Sequence, residues 1–307
     1  EILMKNIMFA GPAILALLLA SSCKKENLNN AGKSKTDPSA TKILRFSAIP
    51  DENTTEQTVK FKKFADYLSK KLGVETQFIP TTDYASAVNK FILGEIHLTW
   101  FGGLTGVQAR NEVKGARAIA QGIEDPNYIS YFIANADTGL ELSESFPEKI
   151  KDLKFTFGSE KSTSGRLMPS FFIQQETGTD PEKWFSLPVG FSGAHDKTAK
   201  LVKSGAFQVG ALSYKKYDSM VESGKLDKEK CKIIWKTPPY ADYNWTAHPE
   251  LDQMYGEGFI DKIQEALIDI SDEQLLKALT RSKIISAKNE DFQGIEDIAK
   301  KLGLLNN

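Results

Sequence analysis

From residue 43 almost to the end, short runs of apolar and β-branched residues alternate with stretches whose apolar positions recur every three or four residues. The run 43–49 predicts a strand. Phe61, Phe64, Ala65, Leu68 and Leu72 then share one face of a helix that Gly73 closes. A strand over 74–79 follows, then a helix over 84–93 with Asp83 as its N-cap. Strand 96–101, helix 104–113 and strands 116–121 and 128–135 complete a β-α-β-α rhythm, which argues for an α/β unit with a largely parallel sheet.

A second unit repeats the alternation: strand 155–158, helix 165–176, strand 187–191, helix 196–204 and strand 207–212. Strand 231–236 then runs into Thr237-Pro238-Pro239, a stiff extended connector. The tail is read as helices 257–270, 272–282 and 290–302. Two α/β units and a helical tail predict two lobes with a cleft between them, where strand ends and helix N-termini converge.

Composition narrows the classes. With 39 Lys and Arg against 40 Asp and Glu the net charge is −1, so no basic field marks a nucleic-acid binder. The two cysteines, Cys23 and Cys231, lie too far apart in sequence to form a disulfide framework, and two are too few for a four-ligand zinc site. Residues 7–20 form an apolar run of about 14 residues, the length of a signal-peptide h-region and short for a bilayer span. It ends in Leu18-Leu19-Ala20-Ser21-Ser22-Cys23, which resembles a bacterial lipoprotein signal with a lipid-bearing Cys23; a plain secretory signal or an uncleaved anchor is the alternative. The polar stretch up to residue 41 holds too little apolar surface to order itself and is expected to be a flexible tether. Cys231, in a strand-like run, is then expected to be an inert core thiol.

The loops after the strands carry the chemistry. Gly158-Ser159-Glu160-Lys161-Ser162-Thr163-Ser164-Gly165 sets hydroxyls and free backbone N–H groups at a helix start, where the dipole favours an anion; ordinary capping is the competing reading. Gly190-Phe191-Ser192-Gly193-Ala194-His195-Asp196 adds an imidazole at a second such start. In Trp100-Phe101-Gly102-Gly103 paired glycines allow close backbone approach, and Thr81-Thr82-Asp83-Tyr84 brings a phenol to a helix start.

In this order Asp83-Tyr84-Ala85, Trp100-Phe101-Gly102, Phe155-Thr156-Phe157-Gly158, Ser162-Thr163-Ser164-Gly165, His195 and Trp235-Lys236-Thr237-Pro238 resemble the phosphonate-type substrate-binding proteins of ABC importers. The resemblance implies an α/β type II periplasmic-binding-protein fold, two lobes joined by two crossover strands and closing on a ligand. Chain order then predicts a signal at 1–22, a tether at 23–41, a first lobe from 42–134 and 238–307, and a second lobe at 135–237. It implies Ser162, Thr163, Ser164, His195 and Tyr84 as oxyanion ligands. Phe101 stands where the family places a ligand-facing tyrosine, and Asp242 matches loosely a family carboxylate that meets a substrate amine. Gly102, Arg166 and Tyr240 are further candidates. The segment Tyr240-Ala241-Asp242-Tyr243-Asn244-Trp245 resembles a subgroup assigned to selenate import.

The expected protein is thus a binding lipoprotein that takes phosphonate, phosphite, phosphate or selenate to an ABC permease. It is expected to be periplasmic, monomeric, anchored to a membrane through Cys23, free of cofactor and metal, and without affinity for nucleic acid. Two readings compete: the same fold holding another small anion or organic ligand, and a serine hydrolase using Ser192 in an imperfect nucleophile elbow.

Overall fold

The computed structural model describes residues 42–305; the expected signal and tether, with Cys23, lie outside them. The chain begins with β1 (Leu44–Ala48), α1 (Thr54–Leu72), β2 (Thr76–Phe78), α2 (Tyr84–Ile92), β3 (Leu98–Phe101), α3 (Gly103–Glu112) and β4 (Arg117–Gly122). It crosses to β5 (Ser130–Asn135), β6 (Phe155–Phe157), a π-type turn Thr163–Leu167 leading into α4 (Met168–Thr177), the single turn α5 (Pro181–Trp184) and β7 (Gly190–Phe191). Then come α6 (His195–Lys203), β8 (Val209–Ser213), α7 (Tyr214–Glu222) and β9 (Cys231–Lys236). A second crossover leads to β10 (Asn244–Ala247), α8 (Glu250–Tyr255), α9 (Phe259–Ile268), α10 (Glu273–Ala278), β11 (Ile284–Ser286) and α11 (Gln293–Lys301).

Two sheets result, ordered β11-β4-β10-β3-β1-β2 and β7-β6-β8-β5-β9. Each is the floor of one lobe of a type II periplasmic-binding-protein fold. Both are mixed, where the alternation alone predicts largely parallel pairing. β1 pairs parallel with β2 and β3, but β10 runs antiparallel between β3 and β4. β5 likewise runs antiparallel to β8 and β9. Strands that enter a sheet from the other lobe arrive from its far end, and this reverses their direction. The two crossovers are themselves bonded: the backbones of Tyr128 and Tyr240 exchange hydrogen bonds of 2.8 and 2.9 Å.

Local chemistry sets the helices. Asp83 caps α2 through Ser86 N at 2.7 Å, and Gly73 closes α1 in the left-handed region at φ 69°. Under the first sheet, Phe46, Phe61, Phe64, Phe78 and Trp245 interlock, with ring centroids 4.9–6.5 Å apart. Cys231 is fully buried under the second sheet, and burial pushes its thiol up to about 12, so it stays protonated and inert.

Candidate functional site

Loops from both sheets meet at their facing ends. Ser162 caps the π-type turn, accepting from Gly165 N at 2.9 Å, so its capping role is real. Thr163 Oγ1 accepts from Leu104 N, at the first turn of α3, at 2.9 Å. Beside it, Asp242 Oδ1 accepts from Gly103 N at 2.9 Å. One hydroxyl and one carboxylate oxygen thus take two of the free N–H groups of α3. Gly102, just before α3, leaves little room for a side chain: a Cβ on it would lie 3.1 Å from Thr163 Oγ1 and 3.3 Å from Asp242 Oδ1, so those groups would have to give by a few tenths of an ångström.

Four side-chain atoms around this junction are buried and have no hydrogen-bond partner within 3.5 Å: Tyr84 Oη, Ser164 Oγ, His195 Nε2 and Asp242 Oδ2, with Ser162 a looser neighbour of the phenol and Ser164 of the carboxyl. Their residues are each 1% exposed. Neighbour relations link them. The Ser162 side chain sits beside the Tyr84 hydroxyl, and Thr163 and Ser164 sit beside the Asp242 carboxyl. The His195 ring reaches the same loop, since a Cβ on Gly165 would lie 3.2 Å from His195 Cε1. A buried polar atom without a partner costs up to about 1–3 kcal/mol, so these four, with Arg166 Nη1 on the same turn also unpartnered, suit a place for a polar guest.

Their electrostatics suit an anion without a cation. Burial, with Lys216 nearby, holds His195 down to about 3, so the imidazole is neutral at pH 7. Ser213 N donates to its Nδ1 at 3.3 Å, which leaves the ring proton on Nε2, the unpartnered nitrogen. Burial raises the Tyr84 phenol well above its ordinary value, so it too is a donor. Burial pushes Asp242 up to about 7 against the pull of Gly103 N and Thr163, so its free oxygen exchanges between donor and acceptor near neutrality.

The remaining candidates fall elsewhere. Tyr240 hydrogen-bonds Ser130 Oγ at 2.5 Å and lies beside Ser164, at the margin of the group. Phe101 packs edge-on against Phe91 of α2 at 5.6 Å and is fully buried in the core. Arg166 is engaged by other groups, though its Nη1 is buried without a hydrogen-bond partner. Its guanidinium stacks over Phe157 and Phe191 at 4.4 and 5.2 Å and pairs with Glu182. Ser192 is tied to Thr198 Oγ1 at 2.6 Å and Ala194 O at 3.0 Å. Sequence reasoning passed over Asp51, whose Oδ2 accepts from Tyr243 Oη at 3.0 Å, and Ser213, which orients the imidazole. Asp51 lies in the loop after β1, one of the positions an α/β fold marks for a ligand, and only that placement hints at it.

Residues 46–292 match the family described as "ABC transporter, phosphonate, periplasmic substrate-binding protein". The probable ABC transporter phosphite binding protein PhnD1 of Prochlorococcus marinus is 37% identical over 268 residues, 85% of this chain and 90% of that protein. The structure of that PhnD1 with methylphosphonate superposes with a TM-score of 0.81 at 36% identity, covering 86% of this chain and 99% of the other. The phosphate-import protein PhnD of Mycolicibacterium smegmatis is 28% identical over 83% of this chain and 79% of its own.

Proposed function

The chain belongs to the periplasmic substrate-binding proteins of phosphonate ABC transporters, and within that family we propose that it captures a small phosphorus oxyanion, methylphosphonate or phosphite. It is a binding component and not an enzyme. The observation that carries the proposal is the group of buried polar atoms without a close partner where the loops of the two lobes meet: donors on Tyr84, Ser164 and His195 together with the Asp242 carboxyl. Ser162 and Thr163 complete the cradle through the turn and the start of α3. Capture involves no bond making: the lobes close, and fixed dipoles replace the anion's hydration shell.

Asp242 narrows the ligand class. Its carboxyl, held up to about 7, accepts a hydrogen bond from a ligand hydroxyl when ionised or donates one to a ligand oxygen when protonated. Phosphonate and phosphite retain a proton near neutrality, whereas sulfate and selenate do not, so the fit favours phosphorus. The family's permease partner and a lipid anchor on Cys23 complete the proposed role: a tethered carrier that hands its anion to an importer.

A thermal-shift panel of methylphosphonate, phosphite, phosphate, selenate and sulfate tests this. A ligand at a hundred times its Kd stabilises the fold by about 2.7 kcal/mol. Methylphosphonate or phosphite should give the largest shift, and Ser164→Ala with His195→Ala should abolish it. The proposal fails if no phosphorus oxyanion shifts the melting point, or if the shift survives the double substitution. Mass spectrometry of membrane fractions tests the anchor: a Cys23→Ser chain still carrying acyl groups refutes it.

A further inference from the structure

Two ion pairs join the segment after β1 to the segment at and after α7. Glu52 Oε2 accepts from Lys216 Nζ at 2.9 Å, and Glu56 Oε2 accepts from Lys225 Nζ at 2.6 Å. Both run the same way, with carboxylates on the lobe of the first sheet and ammoniums on that of the second. The outer pair is about half exposed on each side and screened by water. The inner one is enclosed: the Lys216 and Glu52 side chains are 8% and 10% exposed. Lys60 also donates to Glu52, at 2.7 and 2.9 Å, and Lys216 Nζ lies 3.8 Å from Asp51 Oδ1.

This inner cluster reaches the proposed ligand site through His195 and through Tyr243, a neighbour of Tyr84 and Asp242. Asp51 Oδ2 accepts from Tyr243 Oη, and the Asp51 carbonyl accepts from His195 N at 3.2 Å. Asp196, next to His195, also faces Lys216 and holds Lys200 at 2.7 Å. No atom of Lys216 is among the groups that face the anion. Its ammonium is occupied by carboxylates of the other lobe.

We propose that Lys216 is a positioning residue for ligand capture: carried by the second lobe, it seats on Glu52 and Asp51 of the first when the lobes close, and so holds the ligand-bound form without touching the ligand. In an opened cleft both partners regain water, so the pair exists only in the closed form and biases the equilibrium toward it. Removing the ammonium leaves Glu52 and Asp51 enclosed and under-compensated in the closed form alone. The ligand named in the test comes from the proposed function; the latch itself does not depend on which anion binds.

The test uses the full chain with Lys216→Met, Glu52→Gln, the double variant and Lys216→Arg. Stopped-flow kinetics with methylphosphonate should show Lys216→Met dissociating about tenfold faster, with association changed by less than about threefold. The double variant should be no worse than Lys216→Met, because the two residues act as one unit. Lys216→Arg should retain slow dissociation. Single-molecule FRET between the lobes of ligand-free protein reads the closed fraction directly, and it should fall about tenfold in Lys216→Met. Unchanged dissociation, an effect confined to association, or additive losses in the double variant overturn the proposal. If wild-type protein ignores methylphosphonate, phosphite and phosphate, the functional reading fails separately. The ligand-free closed fraction then decides: a fall in Lys216→Met supports the latch, and equal fractions refute it.

Discussion

Ser213 donates its backbone N–H to His195 Nδ1 at 3.3 Å, and this contact decides which nitrogen of the ring carries its proton toward the proposed oxyanion site. With burial holding the ring neutral, Nε2–H is its one available donor. Nitrogen-detected NMR should find Nδ1 unprotonated and Nε2 protonated throughout pH 5–8, a range that lies above the value of about 3. His195→Ala should weaken methylphosphonate binding by about tenfold or more, the worth of one hydrogen bond to an anion. Titration of the ring near pH 6.5 would sink the assignment.

Asp242 makes an opposite prediction about stability. Its folded value of about 7 lies above the ordinary 3.8, so the folded state holds a proton that the unfolded chain releases. The associated stability is full below pH 3.8 and is lost as pH rises through 7. Asp242→Asn imitates the protonated form and can still accept from Gly103 N. In urea unfolding the two proteins should match near pH 4, with the variant ahead by on the order of 3–4 kcal/mol at pH 8.5. A gap independent of pH would count against a raised value.

Gly165 should tolerate no side chain. A Cβ there would lie 3.0 Å from Ser162 Oγ, 3.1 Å from Gly158 Cα and 3.2 Å from His195 Cε1. Gly165→Ala must therefore displace the cap, the neighbouring backbone or the imidazole. Affinity should drop by about tenfold, with a stability loss of about 1–3 kcal/mol. Wild-type affinity in a folded variant would show that the loop and the ring are not in register.

Arg166→Ala should leave affinity within about twofold of wild type, well under the tenfold that 1.4 kcal/mol represents. Its guanidinium belongs to Glu182 and the two phenylalanine faces. Calorimetry with methylphosphonate checks this, and a tenfold loss would return Arg166 to the site.

At the crossovers, Arg281 is 1% and Asp125 0% exposed by side chain, joined by bonds of 2.6–2.9 Å. Arg281 also lies over Trp100, Tyr128 and Tyr243 at 4.7–5.4 Å. Arg281→Met strands a buried carboxylate and should cost about 3–5 kcal/mol in denaturant unfolding. A loss under about 1 kcal/mol would mean that water reaches Asp125.

What could be read in the chain was what the chain decides locally. The cap at Asp83, the stop at Gly73 and the hydroxyl-rich turn at Ser162 depend on residues a few places away. β10 escaped notice because Asn244–Ala247 holds only four residues, two of them polar. Its strand character comes from Trp100 and Ala120, far away in sequence. α7 was missed because Tyr214–Glu222 is mostly polar and its cap, Ser213, ends a strand. Arg166 adjoins the right loop, but the π-type turn swings its side chain onto Phe157; adjacency fixes position, not direction. The ion cluster of Asp51, Glu52 and Lys216 pairs residues 164 apart at its centre, which no local pattern reports.

The place of β10 between β3 and β4 also orders the protein's assembly in time. Those two strands are not bonded to each other; both are bonded to residues 244–247. A nascent chain that has emerged only through β4 has three parallel strands and a fourth with no neighbour. The first sheet waits for the whole second lobe to be synthesised before it can close. Until then β3 and β4 each expose an unpaired edge, so premature chain termination anywhere before residue 244 should yield aggregation and not a stable half-protein.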